Sequence, residues 1–193
     1  MKIVIGLLSA LLLSGCATTT LELPKYYVLS GAPSTSAVQD ELSTQVTLDN
    51  IALADYLRTS NMVLQVSDHE LFFSTNHLWA EPLKVGIEKA LSRHVSLTTV
   101  GETSPIHLDL VIDYFHVIDQ DSVILAGDFA LKEDGKPLKK QRFSLSEPLN
   151  SSGYHYSVSV MSELVDRLGS DISKQIEEYK SASIGGSTVI GSQ

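Results

Sequence analysis

The sequence predicts an α+β fold: a mostly antiparallel sheet with two helices packed on one face, in the order strands, helix, strands, helix. Three observations predict it. Apolar and polar residues alternate in two separate blocks, one before Trp79 and one after Pro105. Each block is followed by a stretch with apolar residues at helical spacing. Connections within the blocks are of hairpin length, which favours antiparallel neighbours.

Lys25-Tyr26-Tyr27-Val28-Leu29-Ser30 is rich in strand formers and reads as the first strand. Gly31 to Ser36 holds Gly, Pro and Ser and reads as a turn. From Thr44 a half-buried strand is expected, with Val46, Leu48 and Asn50 on one face and Thr47 and Asp49 on the other. Leu53-Ala54-Asp55-Tyr56-Leu57 is a short local element. Asn61 to Ser67 makes a strand with Met62, Leu64 and Val66 inward, paired with Glu70 to Ser74 across the polar turn Asp68-His69. The first helix spans about Glu81 to His94. Pro82 is tolerated near its start, and Leu83, Ile87, Ala90 and Leu91 make one apolar stripe. Trp79 is placed to pin the entry of this helix onto the sheet.

In the second block Ile106, Leu108, Leu110, Ile112, Tyr114, His116 and Ile118 share one strand face, and His107, Asp109 and Asp113 share the other. Asp119 to Ser122 is a turn. Val123, Leu125, Phe129 and Leu131 form the core face of the next strand, with Gly127 among them. Asp134-Gly135 is a hairpin signal. In the third strand Lys139, Gln141, Phe143 and Leu145 alternate with Lys140, Arg142 and Ser144. Outward basic residues suit an edge, where charge discourages sheet-to-sheet association. The final helix is expected from about Tyr156 to Tyr179, with Met161, Leu164, Val165, Leu168, Ile172 and Ile176 as its stripe. Residues 181–193 are rich in Gly and Ser, have no period, and read as a flexible tail.

The N-terminus has a different logic. Met1-Lys2 and the apolar run Ile3 to Leu13 make a cationic start and a short apolar core. That run is too short to cross a bilayer as a helix, which needs ~20 residues. Leu13-Ser14-Gly15-Cys16 follows, and this pattern resembles a bacterial lipobox. The resemblance implies a signal peptide over 1–15, cleavage before Cys16, an S-diacylglycerol on its sulfur and an N-palmitoyl group on its new amine. Residues 16–24 then form a lipidated tether. Ala17 stands where Asp would mark inner-membrane retention, which implies the outer membrane. The alternative is an ordinary signal peptide with an incidental cysteine.

The totals narrow the functional classes. A chain of 193 residues with 43% hydrophobic content suits one domain with a real core. Its 14 basic and 23 acidic residues give a formal charge of −9, a poor match to nucleic acid, whose binding rests on basic residues neutralising phosphates. Cys16 is the only cysteine, so once lipidated it leaves no thiol for disulfides, catalysis or metal. No Gly-x-Ser-x-Gly elbow and no phosphate-cradling glycine loop occurs. Nothing in the sequence amounts to an active site, and no cofactor is expected. His107, Asp109 and Asp113 form the one polar constellation on a strand. They are read as a solvated strand face and as candidate partner-contact residues rather than as a metal site. His116 is read as a satisfied core or rim histidine, and Tyr154-His155-Tyr156 as an aromatic cluster that packs at a helix entrance.

Three segments carry a more specific likeness. Tyr26-Tyr27-Val28-Leu29 soon after the lipobox, Leu53-Ala54-Asp55-Tyr56-Leu57 leading to Asn61-Met62-Val63, and Trp79-Ala80-Glu81-Pro82-Leu83 opening a helix resemble the ABC-type transport auxiliary lipoprotein family. The resemblance runs over residues 25–180 and departs at Ala54, where the family often has proline. It implies a non-catalytic, outer-membrane-anchored, periplasm-facing component of an intermembrane lipid transport system. The partners it implies are proteins with MCE (mammalian cell entry) domains, which form tubes or rings between the two membranes. Docking on a symmetric tube would favour a homo-oligomer, as a ring. The alternative is a structural or assembly lipoprotein of the envelope with no transport role.

Overall fold

The computed structural model describes residues 22–31, 45–98 and 104–186. The strands are β1 (Lys25–Tyr27), β2 (Gln45–Leu53), β3 (Asn61–Ser67), β4 (Glu70–Trp79), β5 (Ser96–Leu97), β6 (Ile106–Ile118), β7 (Ser122–Glu133) and β8 (Lys136–Pro148). The helices are α1 (Leu83–Leu91) and α2 (Tyr154–Gly186), and Asp55–Arg58 makes a 3-10 turn. This is the α+β order read from the sequence.

The sheet is mixed. Its longest ladders, β6–β7 and β7–β8, are antiparallel, as is β3–β4. The pairs β1–β4, β2–β5, β2–β6 and β3–β6 are parallel. β6 is the spine. One of its edges pairs with β7 along its whole length, while the other is shared by β2 near its start and β3 near its end. Such parallel pairings join segments distant in sequence, so hairpin-length loops could not foretell them.

Alternation is interrupted by bulges, and these reassign several side chains. In β6 the register shifts between Ile112 and Tyr114, leaving Asp113 as the extra residue. One added residue inverts the faces beyond it. Leu108, Leu110 and Ile112 point into the core before the bulge, Phe115 and Val117 after it. Tyr114, expected on the core face, is instead 51% exposed. The exchange puts Phe115, which has no hydroxyl to satisfy, inside. Across the bulge, a Cβ on Gly127 would lie 2.0 Å from the Val111 carbonyl oxygen, so only glycine fits the close approach. In β2 the register shifts between Leu48 and Asn50. Val46 and Ile51 are both buried as a result, and Asn50, expected inward, is exposed. In β3 a shift between Asn61 and Val63 buries Met62 and Val63 together. Val66, expected inward, is exposed near the end of its strand.

The turns follow the sequence more closely. Asp134 and Gly135 both have positive φ, 48° and 78°, and join β7 to β8 as a two-residue hairpin loop. Among the described strands β8 pairs only with β7, so its Lys140 and Arg142 lie on an edge strand there.

Both helical stripes are buried: Leu83, Ile87, Ala90 and Leu91 of α1, and Met161, Leu164, Val165, Leu168, Ile172 and Ile176 of α2. Each of the larger ones, Ala90 apart, contributes roughly 1.5–3 kcal/mol on burial. α1 is shorter than expected. Pro82 is its N-cap rather than its first residue, and its end tightens through His94 N–H to Leu91 O at 2.9 Å. α2 is longer than expected. Gly153, with φ of 105°, breaks the preceding chain so that the helix starts at once. It runs on to Gly185-Gly186, through six residues assigned to the tail, and ends at the poorest helix formers short of proline. Residues 187–193 lie outside the described residues. The helices approach closely at Gly169, where a Cβ would meet His94 Cβ at 3.0 Å. There Asp166 takes Arg93 Nη2 at 2.7 Å and His94 Nε2 at 3.1 Å.

Candidate functional site

The polar face of β6 was the one constellation singled out in the sequence. The structure gives each member its own partner instead of a common centre. His107 Nδ1 lies 2.8 Å from Asp49 Oδ1. Asp109 Oδ2 accepts from Lys132 Nζ across the β6–β7 ladder, and this bond holds the Lys132 ammonium above its ordinary pKa. Asp113, at the bulge, and Asp128 both stand 3.8 Å from Arg142 Nη2. His107 and Asp109 point away from the helices, because the residues between and beside them face the core. Among the described residues no group of three or more His, Cys, Asp or Glu is arranged to hold a metal. The arrangement is a row of separate charge pairs along one strand face. Cys16 lies outside the described residues.

Beyond the bulge the same strand carries a buried network centred on His116, on the strand face opposite Phe115 and Val117. His116 is 2% exposed. Its Nδ1 is 3.0 Å from the Tyr56 hydroxyl and its Nε2 is 3.0 Å from Gln65 Oε1. The Tyr56 hydroxyl donates to the Asp113 carbonyl at 3.0 Å. The expectation of a satisfied histidine therefore holds, with a 3-10 turn and β3 supplying the partners. The network ties the 3-10 turn and β3 to the bulge. Burial pushes Tyr56 up to about 12 and pushes His116 below its ordinary value. A lowered histidine pKa means that the unfolded chain binds the proton first as pH falls. Stability is then full above about 6.5 and declines below it, by at most ~1.4 kcal/mol per pH unit for one group. We expect His116→Gln to flatten that part of the profile in urea titrations at a series of pH values. Identical slopes for variant and wild type would refute the assignment.

Two apolar grooves flank the start of α2. One, of about 280 Å³, is lined by Leu64, Val66, Phe72, Val117, Leu149 and Tyr154. The other lies between β1 and α2 and includes Tyr26, Val28, His155 and Val158. Tyr154 stacks on His77 with ring centroids 3.6 Å apart and faces Tyr27 at 6.4 Å. The packing expected of the Tyr154-His155-Tyr156 cluster is met by Tyr154 and Tyr156, while His155 is exposed in the groove. Val66, read as inward from the strand period, is instead exposed in the first groove beside Phe72.

The sequence model of the ABC-type transport auxiliary lipoprotein component matches residues 27–173. The chain belongs to this family. The match runs from the last residue of β1 through most of α2 and takes in the β6 face, the Tyr56–His116–Gln65 network and nearly all of both grooves. The chain is also similar to the intermembrane transport lipoprotein PqiC of Escherichia coli strain K12, at 25% identity over 88% of this chain and 95% of that one. It is equally similar to PqiC of Shigella flexneri, at 25% over the same shares. Among solved structures, one of an uncharacterized protein superposes with a TM-score of 0.68 at 24% identity, over 80% of this chain and 99% of that one. A Xanthomonas campestris protein superposes with a TM-score of 0.60 at 14% identity, over 81% and 98%. Both likenesses establish the shared fold. As a member of this auxiliary family the protein is not an enzyme.

Proposed function

We propose that the protein is an outer-membrane-anchored lipoprotein facing the periplasm. It serves there as a non-catalytic accessory of an MCE-type intermembrane lipid transport system. The observation that carries this reading is the family match over residues 27–173, joined by the likeness to PqiC over nearly the whole chain. Supporting it are the lipobox ending at Cys16, the striped charge face of β6 and two apolar grooves suited to contact. A domain held at one membrane works best by touching something that reaches it. The partner is a PqiB-like MCE-domain protein, and docking on its symmetric tube favours a ring of copies, since several weak contacts then act at high effective concentration. His107, Asp109 and Asp113 are the contact residues to test first.

Two measurements test this. Cys16→Ala should block lipidation, leave an unprocessed precursor and remove the protein from the outer-membrane fraction. Normal maturation and fractionation of that variant would disprove the anchor. Native mass spectrometry of the soluble domain, alone and mixed with the MCE protein, should show oligomers and a joint complex. A strictly monomeric domain that forms no complex at high concentration would favour a structural or assembly lipoprotein instead.

A further inference from the structure

The described residues expose nine large apolar side chains, and three of them lie within residues 23–28, at the β1 corner of the domain. Leu23 is 79% exposed, Tyr26 63% and Val28 47%. Their neighbours do the packing. Tyr27 stacks on His77 with centroids 6.0 Å apart, and Leu29 is 2% exposed with its Cβ close against Gly86. Among the described strands, the three-residue β1 lies at an edge and pairs only with β4. The core therefore has no need of Leu23, Tyr26 or Val28, yet the chain exposes all three within residues 23–28, with the exposed Lys25 among them and with Tyr26 and Val28 lining one groove.

Their place along the chain says what covers them. Leu23 is only seven residues after Cys16. A fully extended chain spans at most ~3.5 Å per residue, so the corner can stand no more than about 25 Å from a lipid attached to Cys16. A tyrosine has an apolar ring and a wet hydroxyl, the combination found at the headgroup level of bilayers. A lysine beside it can keep its ammonium among the phosphates while its stem lies on apolar surface. We propose that Leu23, Tyr26 and Val28 insert into the glycerophospholipid leaflet that holds the anchor and so orient the domain on the membrane. The inference rests on the lipidated reading of Cys16. With the corner at the bilayer, the domain stands in one attitude, and its β6 charge face is held at a set angle to the membrane instead of sweeping around a loose tether.

The test uses the lipidated full chain, in which Cys16 is blocked by its own lipid and a new cysteine is the one free thiol. An environment-sensitive dye is placed at Lys25→Cys and, as a control, at Glu178→Cys on the exposed back of α2. Each protein is reconstituted into vesicles of phosphatidylethanolamine with a minor fraction of phosphatidylglycerol, with and without brominated acyl chains. Brominated lipid should quench most of the signal at position 25 and leave position 178 bright. Adding Leu23→Asp, Tyr26→Asp and Val28→Asp should abolish the quenching while the protein still floats with the vesicles and melts unchanged in detergent. Equal signals at the two positions in floating protein would overturn the insertion and leave the anchor standing, as would dye shielded from water but untouched by bromine. Quenching that survives the three aspartates would overturn it too, by showing that the tether alone brings position 25 near lipid. Protein that does not float would overturn anchor and insertion together.

Discussion

Gly127→Ala should destabilise the domain by about 3 kcal/mol or more, beyond the usual cost of overpacking. The added Cβ would sit 2.0 Å from the Val111 carbonyl oxygen and 2.9 Å from its carbon. Both are backbone atoms of the central strand, so no rotamer change relieves the contact. Either β7 parts from β6 or the bulge at Asp113 is lost. Losing the bulge would turn Phe115 and Val117 out of the core and undo the Tyr56–His116–Gln65 network. Ser144→Ala, on the exposed side of β8, should stay within ~0.5 kcal/mol of wild type. Urea midpoints decide the matter. A Gly127→Ala midpoint matching that of the serine control would mean that β6 and β7 do not approach as described.

Leu168→Ala should cost roughly 2–5 kcal/mol. Leu168 is 1% exposed in the middle of the α2 stripe, between Val165 and Ile172. Truncation leaves a void that helix and sheet cannot both close around. For a domain of this size each kcal/mol lowers Tm by about 2–4 °C, so the loss should be visible in a simple melt. Glu178→Ala, on the exposed back of the same helix, should leave Tm nearly unchanged. Equal melting temperatures for the two variants would refute the assignment of the buried face.

The two sites differ in how far they can be read from sequence. Leu168 belongs to a run in which apolar residues recur at helical spacing over six positions, and a helix keeps its period whatever it packs against. All six are buried in the structure. Gly127 sits in an alternating strand whose neighbours Val123, Leu125, Phe129 and Leu131 are buried as the alternation demands. What makes it indispensable is the carbonyl of Val111, sixteen residues earlier on another strand, and strand period carries no information about that neighbour.

The same distinction runs through the candidate contact surface. The membership of His107 and Asp109 in one strand face is legible, because both precede the bulge. Their separate engagement with Asp49 and Lys132 is not, because those partners come from β2 and β7. Val66 looks like a core residue by pattern, yet it is exposed in an open groove beside Phe72.

The sequence by itself determined the element order, the buried stripes of both helices, the Asp134-Gly135 hairpin and the edge character of β8. These are local: period, turn chemistry and charge act between residues close in the chain. Long-range contacts decided the parallel pairings that make β6 the spine, the bulge at Asp49, the bulge at Asp113 that exchanges Tyr114 for Phe115, and the burial of His116 between Tyr56 and Gln65. Each of those depends on a partner strand whose register is set by packing across the whole sheet, and a shift of one residue there turns every following side chain to the other face.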